Sequence, residues 1–326
     1  MYNQPETILE QYDLEIKQIT KGRGAFICDT DQGSKLLMPF RGSKERAAFL
    51  QEVLRRLKER GFTVEQICTT KEKEAVAVDE MGTRYWLKDR IVGNECSTSR
   101  ESEMMAALEE LAKLHRTLSD CNLGIPAFMK NERNEPGQLY RRHYRELIKV
   151  KNYVHARKKR NEFEMYYQEQ YPHYMKNAKD ALSLWENVQK QGKELCGLCH
   201  GDFNQHNVLR TTTGVRIVNF ENMGCNEPMM DLSNFVRKML EKNHWDTELG
   251  MRMIATYDRG RPMSDREKKI LYLLFLFPEK FWKISNHYYN SHKAWVSQRD
   301  IEKLKRMIEI EPARQQFLEN LFSFVE

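Results

Sequence analysis

The spacing of hydrophobic and polar positions changes once along the chain. Residues 14–19, 25–28 and 35–40 each read as strands, separated by Lys21-Gly22-Arg23-Gly24 and the turn Asp31-Gln32-Gly33, which predicts a three-stranded meander. Gly42-Ser43 then opens a helix to about Arg60, with Phe49, Val53, Leu54 and Leu57 on one face and Gly61 as its stop. Two further strands, 75–78 and 84–87, flank Asp79-Glu80-Met81-Gly82, and the polar stretch 88–95 reads as a hinge. Beyond it the period becomes helical. Met104, Leu108, Leu111, Ala112 and His115 line one face of 99–118, and further helices fall near 138–169, 173–191, 230–242, 246–257, 264–277 and 298–322. The pattern predicts an α+β protein of two lobes: an antiparallel-sheet N-lobe over 1–90 and a mainly helical C-lobe over 91–326.

Composition agrees with a folded chain: of 326 residues, 40% are hydrophobic and 31% charged, without repeats or low-complexity tracts. The longest apolar run, 270–277, falls short of the roughly 20 residues a membrane helix needs. The N-terminal residues lack a basic segment followed by an apolar one, so no secretory signal is expected. A net charge of +6 is mild and does not argue for nucleic acid. Over 141–160, however, nine residues are Lys or Arg and only Glu146 is acidic. That stretch reads as a solvated helix face, with a surface for an acidic partner or phosphorylated ligand as the alternative. Seven cysteines without an export signal suggest reduced thiols in a cytosolic compartment. Cys196 and Cys199 with His200 spell C-x-x-C-H, but buried small side chains on a strand suit both cysteines better than haem attachment.

The segment 199–223, CHGDFNQHNVLRTTTGVRIVNFENM, carries the chemistry. Asp202 and Asn207 stand five apart, His200 precedes them, and an apolar strand leads into Asn219-Phe220-Glu221, with Asp231-Leu232 further on. This layout resembles the kinase-like phosphotransferases: aminoglycoside phosphotransferases, choline kinases and protein kinases. The resemblance implies that Asp202 orients the attacking hydroxyl and Asn207 holds a metal. It implies that the residue at 219 holds the Mg2+ bridging the phosphates of ATP, with Glu221 a substitute carboxylate. Families of this type have Asp where this chain has Asn219. Asp231 matches an acid that braces the catalytic loop, and His200 reads as a satisfied core histidine.

The same resemblance expects a strand lysine paired with a helix glutamate. Met38 stands in the lysine's place, Lys35 faces the other side of its strand, and Glu52, with Glu45 the weaker candidate, supplies the glutamate. Gly22 and Gly24 would cover the phosphates, unless they only turn a hairpin, and Asp89 joins the nucleotide-facing positions. One lost charge-stabilising group costs about 3 to 4 kcal/mol of transition-state stabilisation, and two about 5 to 8, or roughly four to six decades of rate.

HGDFNQHNVL, the neutral NFE, MMDLSNFVRKMLEKNHWD, RGSKERAAFLQEVL and TRYWLKD together resemble the spore coat protein S family. That resemblance implies a protein made in the mother cell without a signal peptide and deposited in the spore coat beside other coat proteins. The expected function is a degenerate phosphotransferase with a binding or coat-assembly role. The alternative is an active ATP-dependent kinase acting on a small molecule or a protein.

Overall fold

Alternation in the first part of the chain becomes one antiparallel sheet. In a computed structural model, which describes residues 5–22, 24–121, 123–132, 135–190, 197–291 and 298–326, a short helix α1 (Pro5–Leu9) precedes the meander β1 (Ile16–Lys21), β2 (Phe26–Thr30) and β3 (Gly33–Phe40). Helix α2 (Lys44–Glu59) comes next, its first turn capped by the Ser43 hydroxyl, and then β4 (Ala77–Val78) and β5 (Arg84–Asp89). The strand order is β1-β2-β3-β5-β4.

Because side chains alternate, Leu37 and Leu87 pack with Ile8 and Leu9 of α1 on one face. Phe40 and Trp86, with ring centroids 4.4 Å apart, meet α2 on the other. Register decides which side chains share a face. Leu36 stands opposite Lys88 and Met38 opposite Trp86, so Lys88 shares a face with Met38, while Lys35 and Asp89 point to the other side. The expected hinge therefore starts later than position 88. Lys88 and Asp89 complete β5 because residues 66–68 run beside it and satisfy its backbone, through the Ile67–Lys88 bridge and the Cys68 and Asp89 amides.

The connector carries β6 (Asn94–Glu95), which pairs with a later strand, and then α3 (Glu101–Asp120), α4 (Ala127–Asn131), α5 (Pro136–Ala156) and α6 (Glu162–Lys190). The break between the last two falls at 157–161 and not beside Pro172, which lies inside α6. Asn161 and Glu164 explain this. Each side chain accepts the other's backbone N–H at 2.9 Å, a reciprocal cap that starts a helix at that point. Next come β7 (Gly197–Cys199), the hairpin β8 (Val208–Thr211) and β9 (Gly214–Ile217), and β10 (Gly224–Asn226). Helices α7 (Met229–Lys242), α8 (Thr247–Gly260), α9 (Asp265–Leu276), α10 (Glu279–Asn290) and α11 (Gln298–Val325) complete the chain, α10 having no counterpart among the helices expected from spacing.

The main apolar cluster runs without interruption from Leu50 and Val53 of α2 and Trp86 to Leu108, Phe203, Phe220 and Phe235. The two lobes thus share a core, and the N-lobe helix is held against the loop after β7. No helix among the described residues is long and apolar enough to cross a membrane. Cys28, Cys68, Cys96, Cys121 and Cys199 are free thiols, as expected. Cys225 is not: it is disulfide-bonded, on β10 opposite Leu198, so the inference of a reducing compartment loses that position. Cys196 lies outside the described residues.

Candidate functional site

Backbone sterics set the loop after β7. Gly201 has φ +81°, and a Cβ there would stand 2.0 Å from the Asn222 carbonyl oxygen, so only glycine passes. Beneath it, Asp231 in the first turn of α7 accepts the His200 amide at 2.7 Å and the Gly201 amide at 3.0 Å. His115 adds a third contact at 3.2 Å and leans on the Tyr257 hydroxyl at 2.7 Å. Burial alone would raise the Asp231 carboxyl, but the His115 contact, the nearby His200 ring and the Gly201 amide hold it below the usual carboxylate range. His115, Asp231 and Cys199 bring metal-ligand atoms within 4.8 Å of one another, yet these hydrogen bonds already occupy them. His200 is likewise satisfied. Its Nε2 meets the Val218 carbonyl at 2.9 Å and its Nδ1 accepts the Asp202 amide at 3.2 Å, which sets the neutral Nε2-protonated tautomer. Burial keeps its pKa low.

Asp202 and Asn207 are brought together. The carboxylate accepts Asn204 Nδ2 at 2.8 Å on one oxygen and Asn207 Nδ2 at 3.0 Å on the other. The β8–β9 hairpin, closed by the Val218 amide on the Asn207 carbonyl at 3.0 Å, carries Asn219 back to the same place. Asn219 adopts φ +65°, ψ +57°, a left-handed conformation that asparagine tolerates better than most residues.

From Asn219 the hydrogen bonds continue into the N-lobe. Asn219 Nδ2 donates to Asn207 Oδ1 at 2.8 Å, and Asn219 Oδ1 accepts Lys88 Nζ at 2.9 Å. Lys88 also pairs with Glu65 at 2.9 Å, both nearly fully buried, and Glu65 accepts the Asn219 amide at 2.9 Å. The chain Lys88–Asn219–Asn207–Asp202 has only one possible polarity. An ammonium can only donate and a carboxylate can only accept, so each amide between them must turn its oxygen toward the lysine and its nitrogen toward the aspartate.

Lys88 is the residue that the motifs do not reveal. Met38, half-buried against the main core, occupies the expected lysine position, but Lys88 reaches the same face from the neighbouring strand. The alternation in TRYWLKD marks that face, though it takes the β3–β5 register to reveal its neighbour. Glu65, in the segment after α2, takes the place expected of Glu52. Glu52 instead faces Arg55 and Arg56, whose hydrogen bonds hold it down at about 2. Glu45 lies beside Ser43 at the start of α2. Asp89, on the opposite face, pairs with Lys35 at 2.6 Å. The Gly22 amide donates to the Ala25 carbonyl at 2.8 Å, and Gly24 has φ +73°; Arg23 between them lies outside the described residues. Glu221 contributes its carbonyl, at 3.2 Å from an Arg46 guanidinium that also reaches the Met223 carbonyl at 2.7 Å and so fastens α2 to this segment.

Magnesium does not fit the Asn207–Asn219 pair with its Glu65 neighbour as it stands. It prefers carboxylate oxygens in near-octahedral array. Here Asn207 Oδ1 and Asn219 Oδ1 are neutral and engaged, and one oxygen of Glu65 receives Lys88 and two backbone amides.

Known proteins share the family and the fold. Residues 5–321 match the family described as "Spore coat putative kinase YutH". Spore coat protein S of Bacillus subtilis (strain 168) is 23% identical over 327 residues, which cover 96% of this chain and 92% of that protein. The fold superposes on an aminoglycoside phosphotransferase from Alicyclobacillus acidocaldarius at TM-score 0.86 and 18% identity, covering 100% of this chain and 97% of that one. It also superposes on spectinomycin phosphotransferase APH(9)-Ia in complex with ADP and spectinomycin, at TM-score 0.60 and 15% identity, covering 95% and 97%. The kinase-like fold and the spore coat resemblance read from the motifs both stand.

Proposed function

The chain belongs to the spore coat YutH family, and from that premise we propose that it is a coat-associated, kinase-like binding protein in which a fixed amide chain replaces the metal site of phosphoryl transfer. One observation carries this reading: the Lys88 ammonium is seated on Asn219, whose own amide closes on Asn207. The two side chains that would share a metal hydrogen-bond to each other, and the nearby positive charge is a lysine fixed by Glu65. Asp202 retains the position of a hydroxyl-orienting carboxylate but also terminates this chain. Gly22, Gly24 and Met38 remain the positions facing a nucleotide, and ATP is the nucleotide the fold would take. The similarity to spore coat protein S supports deposition in the coat beside other coat proteins after synthesis in the mother-cell cytoplasm.

A specific observation favours the second reading, an active kinase. The buried Lys88–Glu65 pair restores the lysine–glutamate couple that Met38 had seemed to remove. Only one charged group, a carboxylate at 219, is then missing, a deficit of about 3 to 4 kcal/mol or two to three decades of rate. Turnover of ATP with magnesium by the native protein and by Asp202→Asn separates the two readings. The binding-protein reading expects both to sit at the same background. Turnover that Asp202→Asn abolishes would establish the kinase.

A further inference from the structure

A cavity of about 230 Å3 opens in the C-lobe between the end of α7, the α9–α10 junction and α11. It contains none of the residues of the Lys88–Asp202 chain. Arg237, in its wall, lies six residues along α7 from Asp231, roughly 9 Å at 1.5 Å per residue.

Its floor is aromatic. Trp245, Phe275, Phe277 and Phe281 are buried there, Trp245 and Phe275 meeting edge to face with centroids 6.4 Å apart. Its walls are charged but unevenly balanced. Each of the three acids has a cation: Glu241 has Lys280 at 2.9 Å, Glu311 has Arg314 at 2.9 Å, and Glu279 has Arg237. Burial would raise the Glu279 carboxyl, but Arg237 and Lys283 outweigh it and hold it at about 2, so it stays an anion matched by cations. Lys303 pairs with Asp300 at 3.0 Å. Lys242 and Arg306 remain, both exposed, their side chains making no ion pair or hydrogen bond among the described residues. The paired Arg237 and Arg314 guanidiniums lie 5.7 Å from the Phe275 ring and 5.9 Å from the Trp245 ring and so border the floor.

An apolar floor beneath two unpartnered cations suits one kind of molecule. A cavity of roughly 150 Å3 admits a benzene, so this one has room for an aromatic ring system carrying an acidic group. We propose that the cavity is a binding site for a small aryl carboxylate or aryl phosphate, its ring on the Trp245–Phe275 floor and its anionic group between Lys242 and Arg306. Such binding is independent of what the interlobe cleft does.

The test is a calorimetric titration of the full chain with 2-naphthoate and with neutral 2-naphthamide, repeated on Lys242→Gln/Arg306→Gln. Both substituted side chains are exposed, so an unchanged melting temperature is expected of the double variant and is checked first. The expected result is saturable one-to-one binding of 2-naphthoate, at least tenfold weaker for 2-naphthamide and at least tenfold weaker in the double variant. Absence of saturable 2-naphthoate binding at millimolar concentration, equal binding of the amide, or undiminished binding by the double variant would each overturn the proposal.

Discussion

A lysine sharing a sheet face with a methionine changes what the neutral residues mean. Met38 and Asn219 were legible as departures from the kinase-like pattern because they sit inside local motifs. Lys88 was not, because its proximity to Met38 is a property of strand pairing and its link to Asn219 spans 131 positions. On the proposed reading, the charge missing at Met38 is carried by Lys88 on the same face, whereas none replaces the carboxylate at Asn219. An aspartate at 219 would turn an acceptor toward Asn207 Oδ1, an arrangement that needs a cation between the two; asparagine closes the gap with its own N–H. The same logic makes Lys88 structural. Lys88→Met would leave Glu65 buried with only backbone amides for company, so we expect a loss of about 3 to 5 kcal/mol in urea denaturation. A loss below about 1 kcal/mol would show the pair to be dispensable.

Elements were legible where period and caps agreed, and misplaced where the apolar period ran on past a cap. The meander, α2 and α3 follow from spacing alone. The α5–α6 boundary does not: spacing put the break at 169–173, inside α6, whereas the pair that sets it, Asn161 and Glu164, lies earlier in the chain. Tyr288 strengthens that cap from α10, its hydroxyl 2.8 Å from the Glu164 carboxylate. Asn161→Ala should cost about 1 to 2 kcal/mol of stability by the same denaturation measurement. A neutral result would mean that α6 starts there for some other reason. The basic face over 141–160 splits accordingly: its first part lies on α5, and Arg157, in the connector, pairs with Glu164 at 2.9 Å.

At the scale of the whole molecule, the lobes share one core and a second cluster gathers α5, α6, α10 and α11. Against that second cluster lies His143, stacked on Trp282 with ring centroids 3.4 Å apart and no hydrogen bond to either ring nitrogen among the described residues. Burial first, then Arg142, lowers its pKa from 6.5 to about 4, against a weaker opposing pull from Glu279. Between those values the unfolded chain binds the extra proton, so stability is present above pH 6.5 and is lost as pH falls toward 4. From pH 7 to pH 5 the native protein should lose about 2 kcal/mol more than His143→Phe. Equal losses would mean that this histidine is free to charge in the folded state.

On the proposed reading, the site where such folds hold a metal is closed here by a chain of amides. The most direct test is the melting temperature with ATP, in magnesium and in EDTA, for the native protein and for Asn219→Asp. Magnesium is expected to leave the native protein's ATP-dependent shift unchanged and to raise the melting temperature of Asn219→Asp. A native protein that magnesium and ATP stabilise together, beyond either alone, would contradict it.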